Sequence, residues 1–257
     1  MSAHAPGDFF RTARRLALGT AALSGVGGAF FLLRGWGLLP APARSLPPGR
    51  LAMEPTSALA LLLLGLALWL RAPAEASRHR HLLGSLCATL ATLLGLSALA
   101  WYVLGVDMGV ERLLLAGRIA PNSATCFLLL GLALLLLGRR TRPGLPWSNL
   151  LILPALLIAL VAFNGHLHGA LTLADPPQFR HAIGMSLPAV LGVLLLGTGT
   201  LSARLEQGLA TRLTRGTLGG IFTRLVLPPV LVGPLVIGTF LEMLHLLGAL
   251  SARVETA

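Results

Sequence analysis

Lysine is absent from the 257 residues, so all twenty Lys and Arg positions are arginine. A retinal Schiff base needs a lysine amine, which excludes a rhodopsin whatever the number of helices. Acidic residues are also scarce, since nine Asp and Glu leave a formal charge of +11. No P-loop, nucleophile elbow, His-Glu-x-x-His or paired cysteine motif occurs, so the sequence predicts neither an enzyme nor a bound cofactor.

Charge of either sign is rare, and apolar residues dominate. Charged residues make up 11% and hydrophobic residues 55% of the chain, with a mean hydropathy of +0.80, whereas soluble domains carry roughly 25% charged residues. We therefore predict an all-α, polytopic membrane helix bundle whose first partner is the lipid bilayer. The excess of basic over acidic residues is typical of cytoplasmic loops that face anionic lipid. Nucleic-acid binding is not expected, because no basic stripe with interleaved aromatic residues lies outside the spans.

Cysteine is limited to Cys87 and Cys126, which fall near opposite ends of two predicted spans. We expect no disulfide between them and interpret both as small buried apolar side chains. Haem between the spans is not expected either, because no two histidines lie at matching depth in mid-membrane.

One apolar stretch recurs along the chain with a constant period. The segment Pro121-Asn-Ser-Ala-Thr-Cys-Phe-Leu-Leu-Leu-Gly131-Leu-Ala-Leu matches Pro55-Thr-Ser-Ala-Leu-Ala-Leu-Leu-Leu-Leu-Gly65-Leu-Ala-Leu at an ungapped offset of 66 residues, and the Leu-Leu-Leu-Gly that ends at Gly197 keeps the same offset. This pattern predicts an internal repeat. The alternative is chance similarity among leucine-rich helices.

Each copy has the features of a membrane helix with a polar start. Proline suits the first turn of a helix, where its missing N–H would have no partner, and the Ser, Thr or Asn beside it can cap free N–H groups. About 15 to 17 apolar residues follow, close to the short limit for crossing a bilayer. The glycines at 65, 131 and 197 are predicted close-packing positions between helices.

The remaining apolar runs complete a count of about seven transmembrane helices in a single membrane domain, residues 1–257. We predict spans near 16–39, 82–104, 150–167 and 225–250 besides the three repeat helices, and an interfacial amphipathic segment over 203–224. The repeats form three two-helix units of about 66 residues, at about 11–75, 76–142 and 143–208, and residues 209–257 add one extra helix. Four-residue spacing of Ala17, Ala21, Gly25 and Ala29 predicts a close helix contact in the first span.

Arginine placement predicts the orientation. Thirteen arginines fall in the N-terminal segment and the second, fourth and sixth loops, and seven fall on the other side. The positive-inside rule then places the N-terminus in the cytoplasm and makes all three repeat helices run from outside to inside. The expected location is the bacterial inner (cytoplasmic) membrane.

The stretch Ile119-Ala-Pro-Asn-Ser-Ala-Thr-Cys-Phe-Leu-Leu-Leu-Gly-Leu-Ala-Leu134 resembles a repeated motif, roughly Met-x-Pro-Asn-Thr-Ala-x-x-Phe-Leu-Leu-Leu-Gly-Leu-Ala-Leu, in the N-terminal membrane region of many bacterial sensor histidine kinases. The resemblance extends over nearly the whole chain, including Gly219-Gly220 and the Pro-rich last span. It implies a signal-input region, which in that family leads through an eighth helix to sensory and kinase domains. No phospho-acceptor His box, ATP-binding Asn or Gly-rich lid of that family matches a position here.

Unusual polar residues gather at one predicted depth, the outer face. Glu242 and His245 are three apart and share a helix face, and an ionisable residue in a span usually faces the bundle interior or a partner. Imidazole and carboxylate suit a small ligand or a metal such as Zn²⁺ or Cu²⁺. The alternative is that outer loops are simply polar, with each histidine solvated. The candidate ligand residues are Asp107, Glu111, His166, His168, Arg180, His181, Glu242 and His245.

The leading functional hypothesis is therefore a membrane sensor module that passes a signal to an output domain and has no catalytic residues. A structural or scaffold subunit of a membrane complex, with a homo-oligomer or another membrane protein as partner, is the alternative. A small-solute transporter is a third hypothesis, but transport normally needs broken helices and polar groups near the midplane.

Overall fold

The chain is described by a computed structural model over residues 6–39, 53–73, 77–106, 109, 117–137, 147–168 and 184–203, with the side chains of 6–10 and 167–168 excepted. Every regular element in these ranges is an α-helix, which confirms the all-α prediction there. The helices are α1 (Pro6–Gly35), α2 (Pro55–Arg71), α3 (Arg78–Leu104), α4 (Pro121–Leu135), α5 (Trp147–His168) and α6 (Leu187–Ala203). The predicted interfacial segment from residue 204 onward and the predicted span 225–250 lie outside the described residues.

Three of these helices, α1, α3 and α5, contain stretches long and apolar enough to cross a membrane, Arg11–Gly35, Arg78–Leu104 and Trp147–His166. The other three are apolar but shorter, at 15 to 17 residues. At 1.5 Å per residue, 17 residues extend about 26 Å, less than the ~30 Å of a hydrocarbon core.

Aromatic residues mark the ends of the helices. Trp36 follows the last residue of α1, Trp101 and Tyr102 lie in the last turn of α3, Trp69 lies near the end of α2 and Trp147 begins α5. Tryptophan and tyrosine favour the membrane–water boundary. The twenty-residue separation of His81 and Trp101 on α3 corresponds to about 30 Å of helix, which matches the thickness of a hydrocarbon core.

The helices form a closed ring in which each packs on the next and α6 packs on α1. The second, fourth and sixth helices also contact one another, so α2, α4 and α6 are the inner helices and α1, α3 and α5 are the outer helices. Most of the exposed large apolar side chains belong to the outer helices, for example Leu23, Val26, Leu86, Leu93 and Val161. An apolar outer surface on a bundle of long apolar helices is what contact with lipid requires.

The three inner helices run in the same direction. Gly192 and Gly199 of α6 lie against Leu61 and Leu68 of α2 in the same chain order, so α6 and α2 are parallel. Consecutive helices are antiparallel, as Gly95 of α3 lies against Leu128 of α4, whereas Thr92, three residues earlier in α3, lies against Gly131, three residues later in α4. We call the end where α2, α4 and α6 begin the proline end, and the opposite end, where the outer helices begin, the arginine end.

Equivalent positions are buried in the three inner helices. Eight buried positions of α2 recur in α4 and α6 after 66 and 132 residues: 57, 58, 60, 61, 64, 65, 67 and 68 in α2, 123, 124, 126, 127, 130, 131, 133 and 134 in α4, and 189, 190, 192, 193, 196, 197, 199 and 200 in α6. The side chain just ahead of each helix follows the same spacing, since Met53, Ile119 and Met185 are all buried.

Several predicted boundaries were wrong. The first helix begins at Pro6 and ends at Gly35, whereas the apolar run predicted 16–39. Arg78 to His81, which the predicted span 82–104 left out, form the first turn of α3. Arginine is a good helix former, so a basic stretch need not end a helix. The predicted contact stripe on α1 passes through Ala17, Ala21 and Gly25 but continues at Gly28 rather than Ala29, because four-residue steps drift around a helix of 3.6 residues per turn.

Candidate functional site

Two of the predicted ligand residues, His166 and His168, lie where α5 ends, at the proline end. His166 is the one whose side chain lies among the described residues, and His168 ends α5 without a described side chain. The other predicted ligand residues lie outside the described ranges: Asp107, Glu111, Arg180, His181, Glu242 and His245. Their grouping into one site stays a prediction.

His166 joins the end of α5 to the segment that leads into α6. Its Nε2 lies 2.6 Å from the carbonyl oxygen of Met185. A carbonyl can only accept a hydrogen bond, so Nε2 carries a proton and donates it to Met185. Met185 is buried two residues before α6 begins. A change at His166 therefore acts directly on the start of an inner helix.

Short approach segments precede the inner helices, and we call residues 53–54, 117–120 and 184–186 together the collar. Two of these segments touch, because a Cβ on Gly117 would lie 2.6 Å from the carboxyl carbon of Glu54. Thr56, in the first turn of α2, donates a hydrogen bond of 2.8 Å to the carbonyl oxygen of Gly117. The start of α2 is thus fastened to the segment that leads into α4.

A cation–π contact fastens the same segment to α3. The guanidinium carbon of Arg118 lies 3.6 Å from the centroid of the Trp101 ring, and Trp101 makes an edge-to-face contact with Tyr102. Such contacts contribute about 0.5–2 kcal/mol, depending on how far the cation is desolvated. The collar between residues 117 and 120 is therefore held by α2 on one side and by the end of α3 on the other.

No group of three or more His, Cys, Asp or Glu side chains that could hold a metal ion occurs in the part of the chain with described side chains. The two cysteines are free, and Cys126 is buried with its thiol 3.6 Å from the carbonyl oxygen of Ala155. Cys126 therefore packs as a small side chain between α4 and α5.

The predicted packing residues lie at helix starts and helix contacts. Pro55 and Pro121 are the first residues of α2 and α4. A Cβ on Gly65 would lie 2.7 Å from the Gly25 nitrogen and 2.9 Å from the Ala21 oxygen of α1. Real Cβ atoms do not approach that closely, so glycine is required for backbone to meet backbone.

The second helix pair repeats this contact, and the third differs. A Cβ on Gly131 would overlap the Thr92 hydroxyl and lie 3.1 Å from the Ala88 oxygen of α3. On Gly197 it would meet side-chain atoms of Leu156 of α5, at 2.5 Å from one methyl carbon. Backbone therefore lies against backbone in the first two pairs. In the third pair the side chain of Leu156 lies against the glycine instead.

Arg71 ties three helices together at the arginine end. Its guanidinium donates to the Ser85 hydroxyl of α3, and a second nitrogen lies 3.5 Å from the Leu135 carbonyl oxygen at the end of α4. A cation beside the carbonyls that end a helix interacts favourably with the helix dipole. Arg71 therefore stabilises the end of an inner helix other than its own.

Ionisable side chains other than cysteine are missing from the interior of the described helices. Apart from Tyr102 in the last turn of α3, none occurs over 16–33, 82–104 or 147–165, in α4 or α6, or in α2 before its last residue. Leu64, Leu130 and Leu196 of the inner helices are fully buried. The described core is thus built mainly from packed apolar side chains, and its buried polar side chains are Ser, Thr and Asn.

Sequence reasoning missed the contacts of Glu54, Thr56, Trp101 and Arg118. Each contact joins residues 17 to 63 positions apart and depends on how the helices are arranged around the ring. The one usable signal was a charged residue beside a repeat proline, as in Glu54-Pro55.

Comparison with protein-family models, with curated proteins and with solved structures found no match to this chain.

Proposed function

We propose that this chain is a signal-input module of a bacterial inner membrane, in which a change at the proline end is passed through the inner helices to the arginine end. The collar carries this proposal. Its segments lead directly into inner helices, and they are held by contacts with Thr56 of α2, Trp101 of α3 and His166 of α5. If the collar has two arrangements, each with its own helix packing, a ligand that binds one of them more favourably by about 1.4 kcal/mol changes the ratio of the two populations tenfold.

The resemblance of the Pro121 segment to the membrane region of sensor histidine kinases supports the same function. In the proposed module the outer polar residues, His166 with His168, His181, Glu242 and His245, hold a small ligand or respond to the membrane state. The chain itself is proposed to have no catalytic activity and to act by conformational coupling to a membrane-protein partner, to an output domain or to another copy of itself.

We propose further that the module consists of three two-helix repeats and a seventh span, with the N-terminus and the arginine end in the cytoplasm. The common set of buried positions at a 66-residue spacing supports the repeats. Exposed arginines at the starts of α1 and α3 support the orientation, because arginine-rich ends favour the cytoplasmic side.

A reporter fusion tests the proposal. The full chain is joined through an added eighth helix to a kinase reporter, and the output is measured while pH, osmolarity and divalent metals are varied. We expect at least one condition to change the output, and we expect His166→Ala or Thr56→Val to weaken that response. Ser97→Ala is the control, since Ser97 bonds only to Leu94 within its own helix. A response equal to wild type in both collar variants would reject the coupling route.

The scaffold hypothesis is favoured by the backbone-to-backbone contacts of the first two helix pairs, which suit a rigid support. It predicts a stoichiometric partner that co-purifies with the chain and a reporter output that no stimulus changes. Transport has less support, because the inner helices are unbroken and carry no ionisable residue apart from Arg71 and Cys126.

A further inference from the structure

One inner helix has an exposed apolar strip. α2 packs against α1 on one side and α3 on the other, yet Leu66 and Trp69 are 43% and 41% exposed. These two residues are three apart and share a helix face. Because α1 and α3 flank α2, we call the exposed strip of Leu66 and Trp69 between these two helices the groove. Trp69 lies two residues before the arginine end of α2.

Exposed arginines stand at the arginine end of both flanking helices. Arg14 and Arg15 are exposed on α1, and Arg14 lies seven residues before Ala21, which contacts α2 at Gly65. Arg80 is exposed on α3, four residues before Gly84, which contacts Leu70 and Arg71 of α2. Residues seven or four apart lie on the same face of a helix, so Arg14 and Arg80 lie on the faces of α1 and α3 that contact α2. Arg15 is the exposed residue next to Arg14.

At the arginine end, positively charged residues outnumber negatively charged ones. Residues 8–15 and 71–81 contain six arginines against one aspartate and one glutamate. The first turn of α3 has no acidic residue, although the start of a helix is its positive pole. The positive end of the helix and the arginines repel one another, and an anion bound between the arginines offsets this repulsion.

We propose that the groove binds an anionic phospholipid, with the headgroup phosphate between Arg14, Arg15 and Arg80 and an acyl chain along Leu66 and Trp69. The apolar strip is what favours a lipid over a soluble phosphate, because a free ion would use the arginines alone. Arginine forms paired hydrogen bonds with phosphate oxygens. This site is independent of the signalling proposal and lies at the opposite end of the bundle from the collar.

Tryptophan quenching tests the site in the intact chain. Trp36→Phe, Trp101→Phe and Trp147→Phe together leave Trp69 as the reporter, and the matched control leaves Trp147, which is 46% exposed at the same end on α5. Each protein is reconstituted in phosphatidylcholine vesicles that contain either brominated phosphatidylglycerol or brominated phosphatidylcholine. We expect Trp69 to be quenched more strongly by the anionic lipid and Trp147 to show a smaller preference.

Removing the arginines completes the test. Arg14→Gln, Arg15→Gln and Arg80→Gln are each expected to lower the preference of the Trp69 site by about fivefold, as one cation near an anionic surface contributes. Equal quenching of Trp69 by the two lipids, survival of its preference in the triple variant, or an equal preference at Trp147 would reject the site. Displacement of the brominated lipid by excess inorganic phosphate would reject the lipid in favour of a soluble anion.

Discussion

Gly65 of α2 lies directly against Gly25 of α1, so that a Cβ on Gly65 would come within 2.7 Å of the Gly25 nitrogen. The equivalent Gly131 of α4 lies against Thr92 and Ala88 of α3. In lipid no hydrophobic force drives helices together, so close backbone approach supplies much of the packing free energy. The stability of the bundle should therefore depend on these glycines more than on its large apolar side chains.

Adjacent glycines of α1 offer a matched test. A Cβ on Gly28 would lie 2.6 Å from the Leu62 nitrogen of α2, whereas one on Gly27 would meet nothing within 4 Å. We expect Gly27→Ala to raise the free energy of unfolding by about 0.5–1 kcal/mol through helix propensity. Gly28→Ala should lower it by about 1–3 kcal/mol, the usual cost of overpacking. Thermal unfolding in detergent measures the change for both variants. If both substitutions changed the free energy of unfolding in the same direction, the contact of Gly28 with Leu62 would be contradicted.

At the second helix pair we predict that Gly131→Leu disturbs folding more than Leu134→Ala. Leu134 is fully buried, so its truncation should cost about 2–5 kcal/mol but leave the helices in place. A leucine at 131 would push α3 and α4 apart along their whole contact. Melting temperature and the monodisperse fraction in detergent are the measurements. Equal values for the two variants would show that folding does not depend on the close approach of α3 and α4 at Gly131.

The collar can be tested with two threonines of the same chemistry. Thr56→Val removes the bond to Gly117 between distant segments, whereas Thr198→Val removes only bonds within α6. We expect Thr56→Val to lower the unfolding free energy by about 0.5–1.5 kcal/mol and to speed proteolysis between residues 105 and 117. Thr198→Val should leave both unchanged. Identical proteolysis rates would mean that Thr56 does not hold the collar.

Orientation is testable by cysteine labelling in a variant without Cys87 and Cys126. A cysteine at position 175 should react with an impermeant reagent in intact cells, and one at position 140 should react only after lysis. The physical reason is the excess of arginine on the predicted cytoplasmic side. The reverse pattern of labelling would overturn the assignment.

Helix class and inner-helix starts were predictable from the sequence because they depend on local chemistry. Pro55 and Pro121 do begin helices, as the preference of proline for the first turn predicts. The start of α1 was not predictable from hydrophobicity, because Asp8 and the arginines that follow continue the helix beyond its apolar part. Contacts such as that of Arg71 with Leu135 join different helices, so no local pattern could reveal them.

The difference between Gly197 and its two equivalents has a mechanical consequence. Backbone atoms in contact cannot be displaced without separating whole helices, which makes α1–α2 and α3–α4 stiff. The Leu156 side chain that lies against Gly197 can change rotamer, and Pro154, two residues earlier, removes a hydrogen bond from α5. Hydroxyl bonds from Thr198, Thr200 and Ser202 to carbonyls four residues back also favour bending of α6. We therefore expect the α5–α6 pair to deform more easily than the α1–α2 and α3–α4 pairs, and to take up most of a force applied at the proline end.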